Sequence, residues 1–238
     1  MKLLVSVVDA EEARVAAAAG ADIVDVKNPA EGSLGAPSPA VIADVRAAVP
    51  AELPVSAAIG DMPNLRGTAA LAALGAARSG ATFVKVGLWG VSTADDAVAL
   101  LRAVRAAAGG AVVVAAAYAD ARRVPHAPLP PDLLPRVAHA ASVEVCLLDT
   151  AVKDGRGLLE WLSPDALASL AADAHAGGLR VALAGALRAE DLPVVRDAGA
   201  DIAGVRSAAC ADGRRTGQLD AERVRALRGY ATAGDSMS

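Results

Sequence analysis

Three stretches of the chain open in the same way: GADIVDV at Gly20, GATFVKV at Gly80 and GADIAGV at Gly199. In each, a glycine able to end a helix is followed at once by a run with buried-strand character. That is the short joint of a repeating helix–strand unit, and such a repeat restricts the fold more than any single residue does. Strand-like runs fall at 3–7, 23–26, 54–59, 82–86, 112–116, 144–148, 180–183 and 202–205. They are continuously apolar instead of alternating, which requires cover on both faces and so a parallel sheet packed by helices. Helical patterns lie between them at 9–19 with Asp9 as cap, 38–49 opened by Ser38-Pro39, 68–78, 93–109, 132–140, 164–177, 190–198 and 220–228. Eight strands alternating with eight helices predict an α/β protein, a single (β/α)8 TIM barrel over residues 1–229 with a flexible tail at 230–238. A doubly wound open sheet is the alternative, but no GxGxxG follows the first strand.

Within that frame the stretch ADIVDVKNPAEGSLG carries Asp25 and Lys27 two residues apart, on one face of an apolar strand. Desolvating either charge costs several kcal/mol unless the groups are paired or serve chemistry, and the strand alone leaves both readings open. The rest of the basic residues help decide. Of 23, only Lys2, Lys27, Lys85 and Lys153 are lysines. An amine can lose its proton near neutral pH and attack a carbonyl, which a guanidinium cannot do. In a barrel, groups at the C-terminal ends of strands converge on one mouth. Those ends carry Asp25, Lys27, Asp61, Lys85, Tyr118, Asp120, Asp149, Lys153 and Arg206, so three of the four lysines are expected at one site.

The loops after the seventh and eighth strands, LAGAL and GVRSAAC, are small and glycine-bearing. Barrels bind phosphate there through backbone N–H groups, and Arg206 and Ser207 add a charge and a hydroxyl. Gly185, Ala186, Arg206, Ser207, Ala208 and the mouth residue Asp120 are therefore the candidate substrate-binding set, and a positive mouth suits an anionic ligand.

Other functions are disfavoured by composition. A net charge of −4 gives no footprint for nucleic acid or an anionic membrane. No apolar run approaches the ~18 residues of a membrane span, and MKLLVSVVDAEEA turns acidic too early for a signal peptide. Two cysteines, Cys146 and Cys210, do not make a disulfide framework, and Cys210 reads as structural. A soluble cytoplasmic protein is expected. The mean hydropathy of +0.40 points to buried subunit surface in a homo-oligomer, although abundant alanine inflates it. His139 and His175 fall in helical patterns as packing residues, while His126 could reach the mouth from the loop after the fifth strand. No His or Cys pair has ligand spacing, so neither metal nor cofactor is expected, with an aspartate-only metal site left open.

The blocks VDVKNPAEGSLGA, VSAAIGD, FVKVGLWG, AAAYADA, LLDTAVKDG, LAGAL and GVRSAAC, in that order along the chain, resemble those of the (5-formylfuran-3-yl)methyl phosphate synthase family. That family is also called 4-(hydroxymethyl)-2-furancarboxaldehyde-phosphate synthase. The resemblance implies a (β/α)8 barrel that condenses two molecules of glyceraldehyde 3-phosphate without metal or organic cofactor, supplying the furan of methanofuran-type C1 carriers. It implies that Lys27 is the Schiff-base lysine and Lys85 a proton-transfer lysine, with Asp25, Asp149 and Lys153 as further site residues. The chain departs mainly in its alanine and arginine richness and in its VPHAPLPP loop. A class I aldolase acting on another sugar phosphate is the second enzymatic reading. A phosphate-binding scaffold on an inactive barrel would need a degraded site, and the three lysines are intact.

Overall fold

The repeated joints close in one way. Gly20, Gly80 and Gly199 have φ of +93°, +100° and +93°, values that side chains rarely adopt. The N–H of the following alanine returns to a helix carbonyl five residues back: Ala21 to Ala16, Ala81 to Ala76 and Ala200 to Val195. The third residue of each joint then caps a neighbouring strand. Asp22 accepts from the Leu3 N–H at 2.7 Å, Thr82 from Val55 at 3.1 Å and Asp201 from Val181 at 2.7 Å. GAD and GAT are thus short devices that stop a helix, turn the chain and satisfy an orphan donor at the bottom of the sheet.

The computed structural model describes residues 1–125 and 128–233. The strands are β1 (Lys2–Val7), β2 (Ile23–Val26), β3 (Val55–Pro63), β4 (Phe83–Gly90), β5 (Val112–Tyr118), β6 (Val145–Asp149), β7 (Arg180–Leu183) and β8 (Ile202–Val205). The helices are α1 (Ala10–Ala18), α2 (Pro39–Ala48), α3 (Arg66–Arg78), α4 (Ala94–Ala107), α5 (Leu134–Ala140), α6 (Pro164–Ala176), α7 (Asp191–Asp197) and α8 (Ala221–Thr232). All eight strands pair in parallel and in chain order, and β8 closes on β1, so the (β/α)8 barrel is the fold. Among the described residues, no helix is long and apolar enough to cross a membrane.

Apolar packing comes in two layers. The larger lies between the outer strand faces and the helices, where alanines such as Ala69, Ala73 and Ala76 bring α3 close to the sheet. The inner layer fills the lower barrel with Leu4, Ile23, Ala58, Val114, Ala116, Val145, Leu147, Ala182 and Ile202. Small residues there, Ala182 and Ala184 with Gly204, leave space above the floor on the β7–β8 side.

Four element ends lie beyond the sequence reading. β3 and β4 run on to Pro63 and Gly90, pairing Asp61 with Gly87 through an irregular register past the glycine expected to end β3. β5 continues to Tyr118, which is fully buried under Trp89. The last helix extends past Arg228 to Thr232 because Ala231 packs into the core, so the first residues assigned to the tail are helical.

Candidate active site

A cavity of about 330 Å³ opens at the C-terminal end of the barrel. Its apolar floor includes Leu4, Ile23, Phe83, Val114 and Leu147, and above it stand Lys27, Asp25, Lys85, Asp149 and Lys153. The alternation of β2 turns Asp25 and Lys27 inward together, while β4 supplies Lys85, β6 supplies Asp149, and the loop after β6 returns Lys153. The three lysines expected at one mouth therefore line one cavity.

Two of them are paired. The Lys85 Nζ lies 2.6 Å from each oxygen of the fully buried Asp25 carboxylate, with hydrogen-bond geometry only to Oδ2. Oδ2 also accepts from the Ser6 hydroxyl at 3.0 Å, and Oδ1 has no hydrogen-bond partner. Ser56, in register with Asp25 on β3, likewise has a buried hydroxyl without a partner. A buried orphan costs about 1–3 kcal/mol. Asp25 Oδ1 keeps its ionic contact with Lys85, so the orphan is the Ser56 hydroxyl, which lines the cavity and suits a hydroxyl of a bound molecule. On the opposite side, Lys153 Nζ donates to Asp149 Oδ1 at 2.7 Å and to Thr150 Oγ1 at 3.2 Å. Burial pushes the Asp149 carboxyl up, but Lys153 and then Lys27 outweigh it and hold the pKa at about 2.

Lys27 differs from both. It has no carboxylate within salt-bridge distance among the described residues, and its half-buried side chain lines the cavity. Desolvation is the main cause that lowers its pKa to about 8. The attraction of Asp149 is the next largest influence and opposes it, followed by repulsion from Lys85, attraction to Asp25 and repulsion from Lys153. Burial, and not repulsion from the neighbouring lysines, is the largest cause. The result is an amine that is free in part at neutral pH, with room to attack a carbonyl.

The surrounding loops hold this arrangement. Asp61 accepts from the Ser33 N–H at 2.8 Å and from the Tyr118 hydroxyl, tying the loop after β2 to β5. Burial, then Asp61, pushes the Tyr118 phenol well above its usual range, so it stays a donor. The Ser33 hydroxyl reaches the Thr150 carbonyl at 2.8 Å.

Two expected substrate-binding residues do other work. Asp120 does not line the cavity: its oxygens accept from the Ala151 and Val152 N–H groups at 2.6 and 2.9 Å, anchoring the loop that carries Lys153. Arg206 has no free donor for a phosphate. It is salt-bridged to Glu12 and donates to the carbonyls of Ser6, Arg215 and Gly217. Gly185, Ala186 and Ser207 do line the cavity, and Ala208 follows Ser207 in a short 3-10 turn. Gly185 and Ala186 have φ of +108° and +48°, and Ala186 is one of two non-glycine residues with positive φ among the described residues. Strain of ~1–3 kcal/mol at such a position marks a turn that the surroundings enforce. Among the described residues, the N–H groups of Gly185, Ala186, Ser207 and Ala208 have no acceptor. His126 lies outside the described residues.

Sequence reasoning missed Ser6, Ser56, Thr150 and Arg215. The two serines were findable as polar residues on the inward face of otherwise apolar strands; Arg215, in a loop, left no such signal. Among the described residues no three His, Cys, Asp or Glu side chains converge as metal ligands.

Known proteins resemble this chain over nearly its whole length. Residues 3–228 match the family model of 4-HFC-P synthase. The (5-formylfuran-3-yl)methyl phosphate synthase of Methanocaldococcus jannaschii is 48% identical over 96% of this chain and 98% of its own length. That of Methanopyrus kandleri is also 48% identical, over 95% and 97%. Among solved structures, 3-hexulose-6-phosphate synthase from Salmonella typhimurium superposes with a TM-score of 0.67 at 18% identity, covering 98% of this chain and 99% of that one. Phosphoribosyl anthranilate isomerase from Thermus thermophilus gives 0.64 at 19% identity, covering 98% and 99%; at such identities the likeness concerns the fold alone. The chain belongs to the 4-HFC-P synthase family of enzymes.

Proposed function

We propose that the protein condenses two molecules of glyceraldehyde 3-phosphate into (5-formylfuran-3-yl)methyl phosphate, with loss of one phosphate and two waters, through a Schiff base on Lys27. The observation that carries this reading is the unpaired, desolvated amine of Lys27, with a pKa of about 8, between two lysine–aspartate pairs. The Lys27 amine adds to the aldehyde of one triose, and loss of water gives an iminium that acidifies the adjacent carbon. Lys85, held by Asp25, removes a proton from that carbon, and the enamine expels the phosphate from the far carbon of the same triose, the electron pair of the C–O bond departing with the phosphate oxygen. The terminal carbon left behind is the nucleophilic end of an enol, and it attacks the carbonyl carbon of the second triose, isomerised to its ketone, to form the carbon–carbon bond. Ring closure through the hydroxyl of the second triose, loss of two waters, and hydrolysis of the imine, which takes back the water lost when it formed, complete the furan. Lys153 and the ionised Asp149 assist proton transfer during these eliminations. The backbone N–H groups of Gly185, Ala186, Ser207 and Ala208 form a nest that holds the phosphate of the triose bound to Lys27.

The test is stoichiometric. Enzyme incubated with glyceraldehyde 3-phosphate should develop the near-ultraviolet band of a conjugated furan aldehyde and release one inorganic phosphate per two trioses consumed. A six-carbon sugar phosphate with no phosphate release would replace this reading with that of a class I aldolase.

A further inference from the structure

Seven basic side chains line the cavity. Five of them, Lys85, Lys153, Arg156, Arg206 and Arg214, have a carboxylate within 2.9 Å. The other two are Lys27 and Arg215. Lys27 is the amine assigned above to covalent chemistry. Arg215 remains: a half-buried guanidinium whose one side-chain hydrogen bond among the described residues runs from Nη2 to the Gly32 carbonyl at 2.9 Å. A guanidinium does not deprotonate in a protein, so its charge in this cavity is permanent.

The position of Arg215 is built with care. After β8 the chain doubles back through an antiparallel bridge between Cys210 and Leu219, with the Ala211 N–H bonded to the Gln218 carbonyl. The arch between them carries Arg215. Arg206 supports it from below, donating Nε to the Arg215 carbonyl and Nη2 to the Gly217 carbonyl, both at 2.8 Å, while Glu12 fixes its own fork. The Gly32 contact ties the tip to the loop that follows Lys27. The charge the sequence assigned to Arg206 is thus delivered to the mouth by the residue that Arg206 holds.

The proposed reaction brings two phosphates into the cavity, and the backbone nest accounts for one. We propose that Arg215 binds the phosphate of the second triose, making it the residue that sets the requirement for a phosphorylated second substrate. This rests on the two-triose reading. A guanidinium fork suits a phosphate dianion.

The test compares wild type with Arg215→Met, Arg215→Lys and Arg214→Met, following two signals from glyceraldehyde 3-phosphate. One is the borohydride-reduced adduct on Lys27, which needs only the first triose; the other is furan formation. Arg215→Met should form the adduct within about threefold of wild type and make furan roughly 100-fold more slowly, as loss of a charge-assisted pair implies. Arg215→Lys should fall between, and Arg214→Met should match wild type within about twofold. Added guanidinium ion should restore part of the lost furan rate in Arg215→Met, which loss of a merely structural contact would not allow. An Arg215→Met enzyme with wild-type furan formation and KM overturns the proposal. Equal loss of adduct and furan also overturns it, since Arg215 would then serve the first triose or the fold. Failure of the two-triose reading is seen separately, in the unmutated enzyme, as absence of furan.

Discussion

The two sides of the cavity mouth are made of different materials. On the β2, β4 and β6 side, recognition and chemistry are written in side chains: Lys27, Lys85 with Asp25, and Lys153 with Asp149. On the β7 and β8 side there are alanine, glycine and serine around a strained turn with unbonded backbone N–H groups, and Arg215 is the one arginine there without a carboxylate partner among the described residues. The first side can form bonds and move protons, whereas the second can only hold an anion in place. Changes on the first side should therefore remove turnover, and changes on the second should chiefly weaken binding.

The largest effect is expected at Lys27. Lys27→Arg keeps the positive charge but removes the titratable nucleophile, so turnover should fall at least ~10⁴-fold while the circular dichroism spectrum stays unchanged. Next comes the buried pair. Lys85→Met leaves the Asp25 carboxylate uncompensated and should cost about 3–5 kcal/mol of stability by denaturant titration, with loss of turnover. Lys85→Met combined with Asp25→Asn should recover stability but not turnover; if it recovers neither, the pair is not the unit described here.

The β7–β8 side predicts a milder result. At Gly185, φ is +108° and an added Cβ would meet Thr150 at 3.0 Å, so Gly185→Ala should raise KM for the triose phosphate about 10-fold or more with a smaller change in kcat. A kcat loss larger than the KM rise would erase the contrast between the two sides. The smallest change is at Ser56, whose hydroxyl is buried without a partner. Ser56→Ala should leave the melting temperature unchanged or raised, and should raise KM by a fewfold.

Much of the fold was legible because its signals are local. A glycine ends each repeated helix, the next residues enter the strand, and the Asp or Thr two positions on caps a neighbour. The lysines were legible for a related reason: the strand period fixes which way they point. What failed was long-range. Arg206 looked available because its partner Glu12 lies 194 residues away, and Asp120 looked free because the amides it accepts from are 31 and 32 residues on. A hydrogen-bond budget closed across the barrel cannot be read from either segment alone. Tyr118 and Ala231 extended their elements because tertiary burial, and not local propensity, decides where those elements stop.

The central claim is that Lys27 is a free amine through desolvation and attacks the triose carbonyl. The most direct measurement is the single-turnover rate of borohydride-trapped adduct, mapped by mass spectrometry, as a function of pH. With a folded-state pKa of about 8 against the ordinary 10.5, the rate should climb about tenfold per unit below pH 8 and level off above it, all of it on Lys27. By the same sign, the folded state binds fewer protons here than the unfolded chain between pH 8 and 10.5, so this group's cost to stability eases as pH rises through that window. A rate still climbing tenfold per unit at pH 10, or an adduct on Lys85 or Lys153, would contradict the account.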